Sequence, residues 1–125
     1  MEDDELGTIL IGRAIQVHRA LGPGLLESVY ETCLHHELSK AGIEAKRQVF
    51  LPFEYDGLQF DNAFRVDLIV GDRLIVEIKA VEKILPIHSS QLMTYLKLSR
   101  RRIGYILNFN VTQMRQGGIR RLVNG

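Results

Sequence analysis

The sequence contains a single cysteine, Cys33, and no tryptophan. One cysteine excludes an internal disulfide, and the absence of a CxxC pair argues against a zinc site. No apolar run approaches the roughly 20 residues that a membrane-spanning helix requires. The N-terminal segment MEDDELG is acidic, whereas a secretory signal begins with basic residues. We therefore expect a soluble, cytoplasmic protein that does not contact membranes.

Acidic residues are missing from the C-terminal third of the chain. All 15 acidic residues lie in residues 1–82, where 8 Lys and Arg leave a formal charge of −7, while residues 83–125 hold the other 8 Lys and Arg and carry +8. Lys97 and the cluster Arg100 to Arg102 predict a surface that faces nucleic-acid phosphates. The alternative is an ordinary surface whose charge balances the acidic N-terminal part.

Three segments show the apolar spacing of helices. The first, TILIGRAIQVHRAL, ends at Gly22-Pro23-Gly24, which cannot continue a helix. The second, LESVYETCLHHELSKAG, ends at Gly42. The third, SSQLMTYLKLSR, follows much later, with Ser89 as its expected N-cap.

The remaining segments alternate as strands do. AKRQVFLPFEYDGLQF predicts a hairpin around Asp56-Gly57, two further strands contain Asp67 and Glu77, and RIGYILNFNV and IRRLV follow the third helix. With 125 residues, 46% of them hydrophobic, the chain should form one domain spanning residues 1–125. The order of two helices, a β-meander, a helix and two strands predicts an α/β fold in which helices flank a mixed sheet.

The stretch FRVDLIVGDRLIVEIKA, residues 64–80, predicts two strands around a short turn. A two-residue turn would mix charged and aliphatic side chains on both faces of the pair. A three-residue loop at 71–73 pairs Val70 with Leu74 instead, which makes one face wholly apolar. That face would hold Phe64, Val66, Leu68, Val76 and Ile78.

The same register sets Asp67 directly opposite Glu77, with Lys79 further along on their face. Like charges opposed across a strand pair are destabilising, so this arrangement requires a compensating cation. A divalent metal such as Mg²⁺ would serve, because hard cations bind carboxylate oxygens. The alternative is a solvated polar face with a surface ion pair.

Three motifs in the chain resemble those of a known group of enzymes. Val66-Asp67, nine residues and then Glu77-Ile78-Lys79 resembles the PD-(D/E)XK nuclease superfamily, although Val66 stands where the superfamily name has proline. Gly24-Leu25-Leu26-Glu27-Ser28-Val29-Tyr30 resembles the motif of the GxxExxY family of small bacterial proteins, a branch of that superfamily. Gln91-Leu92-Met93-Thr94-Tyr95 is similar to the QxxxY signature of nuclease domains attached to recombination-repair helicases.

The resemblance implies a restriction-endonuclease-like core and a metal-dependent nuclease that hydrolyses phosphodiester bonds in DNA with Mg²⁺ or Mn²⁺. Asp67 and Glu77 would be the main metal ligands, with the backbone carbonyl of Ile78 as a third. Glu27 would hold a metal directly or through water. The alternative is that its negative charge only stabilises the N-terminus of its helix through the helix dipole. Lys79 would orient the attacking water or stabilise the transition state.

The resemblance also assigns roles around this site. Gln91 and Tyr95 are four residues apart, hence on one helix face, where they would contact the metal shell, the lysine or a phosphate; half-core packing is the alternative for Tyr95. From the charge pattern, and not from the resemblance, we expect Arg65, Lys97 and Arg100 to Arg102 to bind DNA, with RNA left open. Two other functions are retained: a nucleic-acid-binding or partner-binding module without turnover, and a structural protein that forms a homodimer through its edge strand or first helix.

Overall fold

The computed structural model describes all 125 residues. Three helices and five strands form, with the strands in one sheet in the order β1-β2-β3-β4-β5. The elements in chain order are α1 (Asp3–Leu21), α2 (Glu27–Lys40), β1 (Ala45–Tyr55), β2 (Leu58–Val70), β3 (Leu74–Lys79), α3 (Pro86–Ser99), β4 (Ile103–Asn108) and β5 (Ile119–Val123).

The sheet is mixed, and helices cover both of its faces. Strands β1, β2 and β3 form an antiparallel meander, β4 runs parallel to β3, and β5 is antiparallel to β4. Helix α3 makes the crossover between the two parallel strands. Helices α1 and α2 pack on one face and α3 on the other. The predicted α/β fold with a helix-flanked mixed sheet is therefore confirmed. No helix in the structure combines the length and apolar character needed to cross a membrane.

The hairpin of β2 and β3 has the register predicted from its apolar pattern. Val70 pairs with Leu74 across a three-residue loop, and Leu68 pairs with Val76. The loop turns sharply because Gly71 and Asp72 adopt left-handed φ angles of 60° and 57°. The loop length thus fixes which side chains of β3 stand opposite those of β2.

The prediction of one continuous apolar face along this hairpin is wrong for two residues. Leu68, with Val76 and Ile78, packs in the core under α1 and α2. Phe64 and Val66, by contrast, pack in the core under α3. The reversal lies at Asp67, where the regular β1–β2 pairing skips a position. Alternate residues of a regular strand share a face, so the local irregularity at Asp67 places Phe64 and Val66 in the opposite layer from Leu68.

Helix α3 begins earlier than predicted. Its N-cap is Leu85, not Ser89, and Pro86 occupies the first turn. Proline fits there because the N–H groups of the first turn make no hydrogen bond within the helix. The ring nitrogen Nδ1 of His88 accepts a hydrogen bond from the N–H of Leu85 at 3.0 Å. The proline and this histidine cap together account for the earlier start.

Two glycines let helices approach the interior strand β4 closely from opposite faces. A Cβ on Gly7 of α1 would lie 2.2 Å from the hydroxyl oxygen of Tyr105. A Cβ on Gly104 of β4 would lie 3.0 Å from a methyl carbon of Leu92 in α3. Both helix layers therefore pack closely on β4, and larger residues at these glycines would force Tyr105 or Leu92 to move.

Tyr30 anchors the turn between α1 and α2. Its side chain is fully buried and stacks on Phe109 with ring centroids 4.6 Å apart. Its hydroxyl donates to the carbonyl of Gly22 at 2.6 Å and accepts from the N–H of Leu25 at 3.1 Å. The turn that precedes α2 is thus fixed from inside the core.

Tyr30→Phe keeps the stacked ring and removes the hydroxyl, so the Gly22 carbonyl and the Leu25 N–H both lose their partner. We expect the free energy of unfolding to fall by about 1–3 kcal/mol, measured by urea denaturation. Tyr55→Phe is the matched control, because Tyr55 is 69% exposed at the hairpin end. An equal loss in both variants would contradict the anchoring role.

Candidate active site

Asp67 lies where β2 and β3 separate. Regular pairing of the two strands ends at Leu68 and Val76. One step beyond, the N–H of Ile78 donates to Oδ2 of Asp67 at 2.8 Å, in place of a backbone carbonyl of β2. The backbone of Lys79 is turned toward β4, since its carbonyl accepts from the N–H of Phe109 at 2.9 Å. By alternation, the carbonyl of Ile78 is directed into the same gap as the Asp67 carboxylate.

Glu77, the next residue opposite Asp67 in this register, is a buried acid with an unsatisfied oxygen. Only 7% of its surface is exposed, and its Oε1 has no hydrogen-bond partner. Burial, as the largest cause, together with the charge of Asp67 and a hydrogen bond to it, raises the pKa of Glu77 from 4.5 to about 9. The charge of Lys79 opposes the shift without cancelling it. Glu77 is therefore protonated at neutral pH, and the pair carries one negative charge rather than two.

Helix α3 contributes Tyr95 to the same region. Its ring is half-buried and stacks on Phe64, with centroids 4.7 Å apart. Burial raises the pKa of Tyr95, and the charges of Glu77 and Asp67 raise it further. Tyr95 thus combines the predicted half-core packing with a place beside the carboxylates. Gln91, one turn earlier, is exposed.

Glu27 reaches this end of β3 from the first turn of α2. Its Oε2 accepts a hydrogen bond from the N–H of Ala80, directly after Lys79, at 3.0 Å. Glu27 and Asp67 line one polar cleft of about 530 Å³. No three His, Cys, Asp or Glu side chains, however, lie close enough together to hold a metal ion by themselves. The structure brings together Asp67 and Glu77, and it places Glu27 across the cleft from them.

The donors at this site fit a hard divalent cation. A carboxylate oxygen of Glu77 is buried and unpartnered, Asp67 stands next to it, and the Ile78 carbonyl faces the same gap. Mg²⁺ usually binds through one or two carboxylates and keeps several water molecules, so a third acid in contact is not required. The unsatisfied oxygen is the feature that such a cation would satisfy.

Three polar residues at this cleft were missed from the sequence. Glu31 is only 5% exposed and pairs with Arg47, whose Nε lies 3.0 Å from Oε2 of Glu31. Gln48 donates through Nε2 to Oε1 of Glu31 and, at 3.3 Å, to Oδ1 of Asp67. The position of Glu31, four residues after Glu27 and hence on the same helix face, was the signal available in the sequence.

Asn108, at the end of β4, is a fourth residue that the sequence analysis overlooked. It is fully buried, and its side chain bonds both the N–H and the carbonyl of Val81, at 3.1 and 2.9 Å. It therefore fixes the chain just after Lys79. An asparagine inside the apolar run GYILNF was the available signal, because a buried amide must find partners.

The arginines predicted to bind DNA lie in two separate regions. Arg65 lines the cleft with Asp67, and its guanidinium lies 5.6 Å from the ring centre of Phe50. Arg101 lies at the opposite end of β3, paired with Asp72 at 3.2 Å. The structure does not bring Arg100 to Arg102 to the carboxylates. Part of the basic charge balances the acidic N-terminus, through the pairs Arg73–Asp3 and Arg121–Asp4.

The raised pKa of Glu77 predicts how stability depends on pH. Folding holds a proton on Glu77, so this contribution to stability is fully present below pH 4.5 and is lost as pH rises toward about 9. Glu77→Gln is neutral at every pH, so we expect a flatter profile of unfolding free energy in metal-free buffer, measured by urea denaturation across this range. Glu54→Gln, at an exposed position of β1, should keep the steeper profile. Identical profiles in Glu77→Gln and the unmutated protein would contradict the shift.

Comparison with known proteins places the chain in a family. The family model of the PD-(D/E)XK nuclease superfamily matches residues 4–122. A search of curated proteins finds no match. The superfamily inferred from the sequence is therefore confirmed, while the GxxExxY and QxxxY assignments stay predictions. Since the match covers nearly the whole chain and the fold is of the expected type, this protein belongs to the PD-(D/E)XK nuclease superfamily.

Proposed function

We propose that this protein is a metal-dependent deoxyribonuclease that hydrolyses phosphodiester bonds in DNA. The observation that carries the proposal is the buried, unpartnered oxygen of Glu77 beside the carboxylate of Asp67. Burying the Glu77 carboxyl beside another acid and leaving one of its oxygens without a partner is costly, and a fold retains such strain chiefly at functional sites. Membership of a nuclease superfamily makes phosphodiester hydrolysis the chemistry that this site would serve.

Asp67, Glu77 and the carbonyl of Ile78 would hold Mg²⁺ or Mn²⁺, with Glu27 contributing from across the cleft through water. When bound, the divalent cation favours deprotonation of the attacking water and offsets negative charge on the phosphate. Because Glu77 is protonated in the metal-free protein, it must give up its proton to become a ligand. Metal affinity should accordingly increase with pH up to about 9.

The protein's own side chains would orient the substrate. Lys79, half-buried next to Glu77, presents an ammonium group that would hold a phosphate oxygen and stabilise the negative charge that develops in the transition state. Tyr95 stays neutral because its pKa is raised, so its hydroxyl can donate to a phosphate or water. Gln91, exposed one turn away, would supply a further donor.

A cleavage assay tests the proposal directly. Supercoiled, linear and single-stranded DNA are incubated with the protein in EDTA, Mg²⁺ or Mn²⁺, and we expect cleavage only with metal. Asp67→Asn, Glu77→Gln and Lys79→Met should each reduce the rate by about 100-fold or more, as loss of one charge-stabilising group typically does. Lys46→Met, an exposed lysine of β1, is the control for Lys79→Met.

Binding without cleavage would instead identify a nucleic-acid-binding module. In that case metal at a hundredfold excess over Kd should still stabilise the unmutated protein by about 2.7 kcal/mol, which is observed as a rise in its melting temperature. Asp67→Asn and Glu77→Gln should gain much less. Equal responses to metal in all three proteins would mean that these acids are not ligands.

The salt dependence of DNA affinity tests the basic residues. Arg65 lines the cleft, so Arg65→Met should flatten the slope of log K against log salt by about 0.9 if it neutralises one phosphate of duplex DNA. Arg100→Met makes the same substitution at the other end of β3. Arg100→Met should flatten the slope only with DNA duplexes long enough to reach both ends of β3. Unchanged slopes in both variants would leave these arginines as ordinary surface.

A further inference from the structure

Gln48 has an unusual backbone conformation for its place in the fold. It lies inside β1 with a φ of 52°, whereas the other non-glycine residues with positive φ, Asp56, Asp72 and Arg100, occupy turns or a helix end. Glutamine is not among the residues that favour this region. The neighbouring pairs Arg47–Leu68 and Val49–Val66 keep the strand in register on both sides. The strain is therefore confined to the one position opposite Asp67.

The side chain of Gln48 joins two carboxylates. Its Nε2 donates to Oε1 of Glu31 and to Oδ1 of Asp67, the latter at 3.3 Å. A side-chain amide carries two N–H donors on that nitrogen, so one group can serve both acids. With the N–H of Ile78 on Oδ2, each oxygen of Asp67 has a donor, and these two donors fix the rotation of the carboxylate.

Glu31 gives this bridge a firm support. It is only 5% exposed, and Nε of Arg47 holds its Oε2 at 3.0 Å. Arg47 is fixed in turn by a hydrogen bond from its Nη2 to Oγ1 of Thr32 at 2.8 Å. The amide of Gln48 is therefore oriented from α2, and Asp67 is oriented by Gln48.

We propose that Gln48, oriented by Glu31, is a positioning residue that sets the Asp67 carboxylate for metal binding. This role rests on the proposed function. Removing a group that hydrogen-bonds a metal ligand typically lowers metal affinity by 10- to 100-fold. A purely structural glutamine would change the stability of the fold and leave the affinity of the folded protein for metal intact.

Gln48→Asn separates these two roles. Asparagine accepts a left-handed φ more readily than glutamine, so the backbone is retained, but its side chain is one methylene too short to join both carboxylates. Gln48→Gly is a second variant, which accepts the φ angle and removes the amide. The matched control is Gln59→Asn in β2 of the same hairpin, where the side chain donates to Asp61 at 3.4 Å, far along the strand from Asp67.

Mn²⁺ binding to the folded proteins is measured by calorimetry, and stability is measured separately by urea denaturation in EDTA. We expect Gln48→Asn and Gln48→Gly to bind Mn²⁺ about 10-fold or more weakly, and Gln59→Asn to bind as the unmutated protein does. Unchanged affinity in both Gln48 variants, next to clear binding by the unmutated protein, would overturn the positioning role and leave the proposed function standing. Absence of Mn²⁺ binding by the unmutated protein would overturn both.

Discussion

The hydrogen bond from the N–H of Ile78 to the carboxylate of Asp67 is the contact on which the site depends. Antiparallel strands normally satisfy such an N–H with a backbone carbonyl of the partner strand. Here the Asp67 side chain accepts this hydrogen bond, so β2 can separate from β3 while the buried N–H of Ile78 keeps a partner. The separation opens the space into which the Ile78 carbonyl faces, and it lets the far part of β2 pack against α3 instead of α1 and α2.

The burial of Glu77 follows from the same geometry. Ile75 and Ile106 lie in the core under α3, and alternation along β3 directs Glu77 toward that face as well. An acid there cannot stay ionised beside Asp67, so it keeps its proton, with a pKa of about 9, until something positive replaces the proton. Suppressing the ionisation of Glu77 thus costs the metal-free protein some of its free energy of unfolding. Cation binding and proton release are consequently coupled at this site.

Sequence reasoning reached the fold and the hairpin register because both follow from apolar periodicity and loop length, which are local properties. It could not reach the change of face at Asp67, because this change lies opposite the left-handed φ of Gln48 and depends on which helix covers each half of β2. For the same reason it missed Gln48, which bonds Asp67 only after β1 has paired with β2, and Glu31, which bonds Gln48 only after α2 has packed beside β1. Arg100 to Arg102 were predicted to face nucleic-acid phosphates, but a one-dimensional charge pattern cannot show that they lie at the end of β3 away from the carboxylates.

The segment that carries Glu27 joins the packing of the core to the site. Gly24 adopts a φ of 101°, and the Tyr30 hydroxyl holds the turn before α2 from inside the core. These contacts fix where α2 begins, and Glu27 is its first residue. Because Glu27 then bonds the N–H of Ala80, the same turn also fixes the chain that follows Lys79. Gly24 and Tyr30 therefore help to position Glu27, since a shift of α2 by one residue would move Glu27 away from β3.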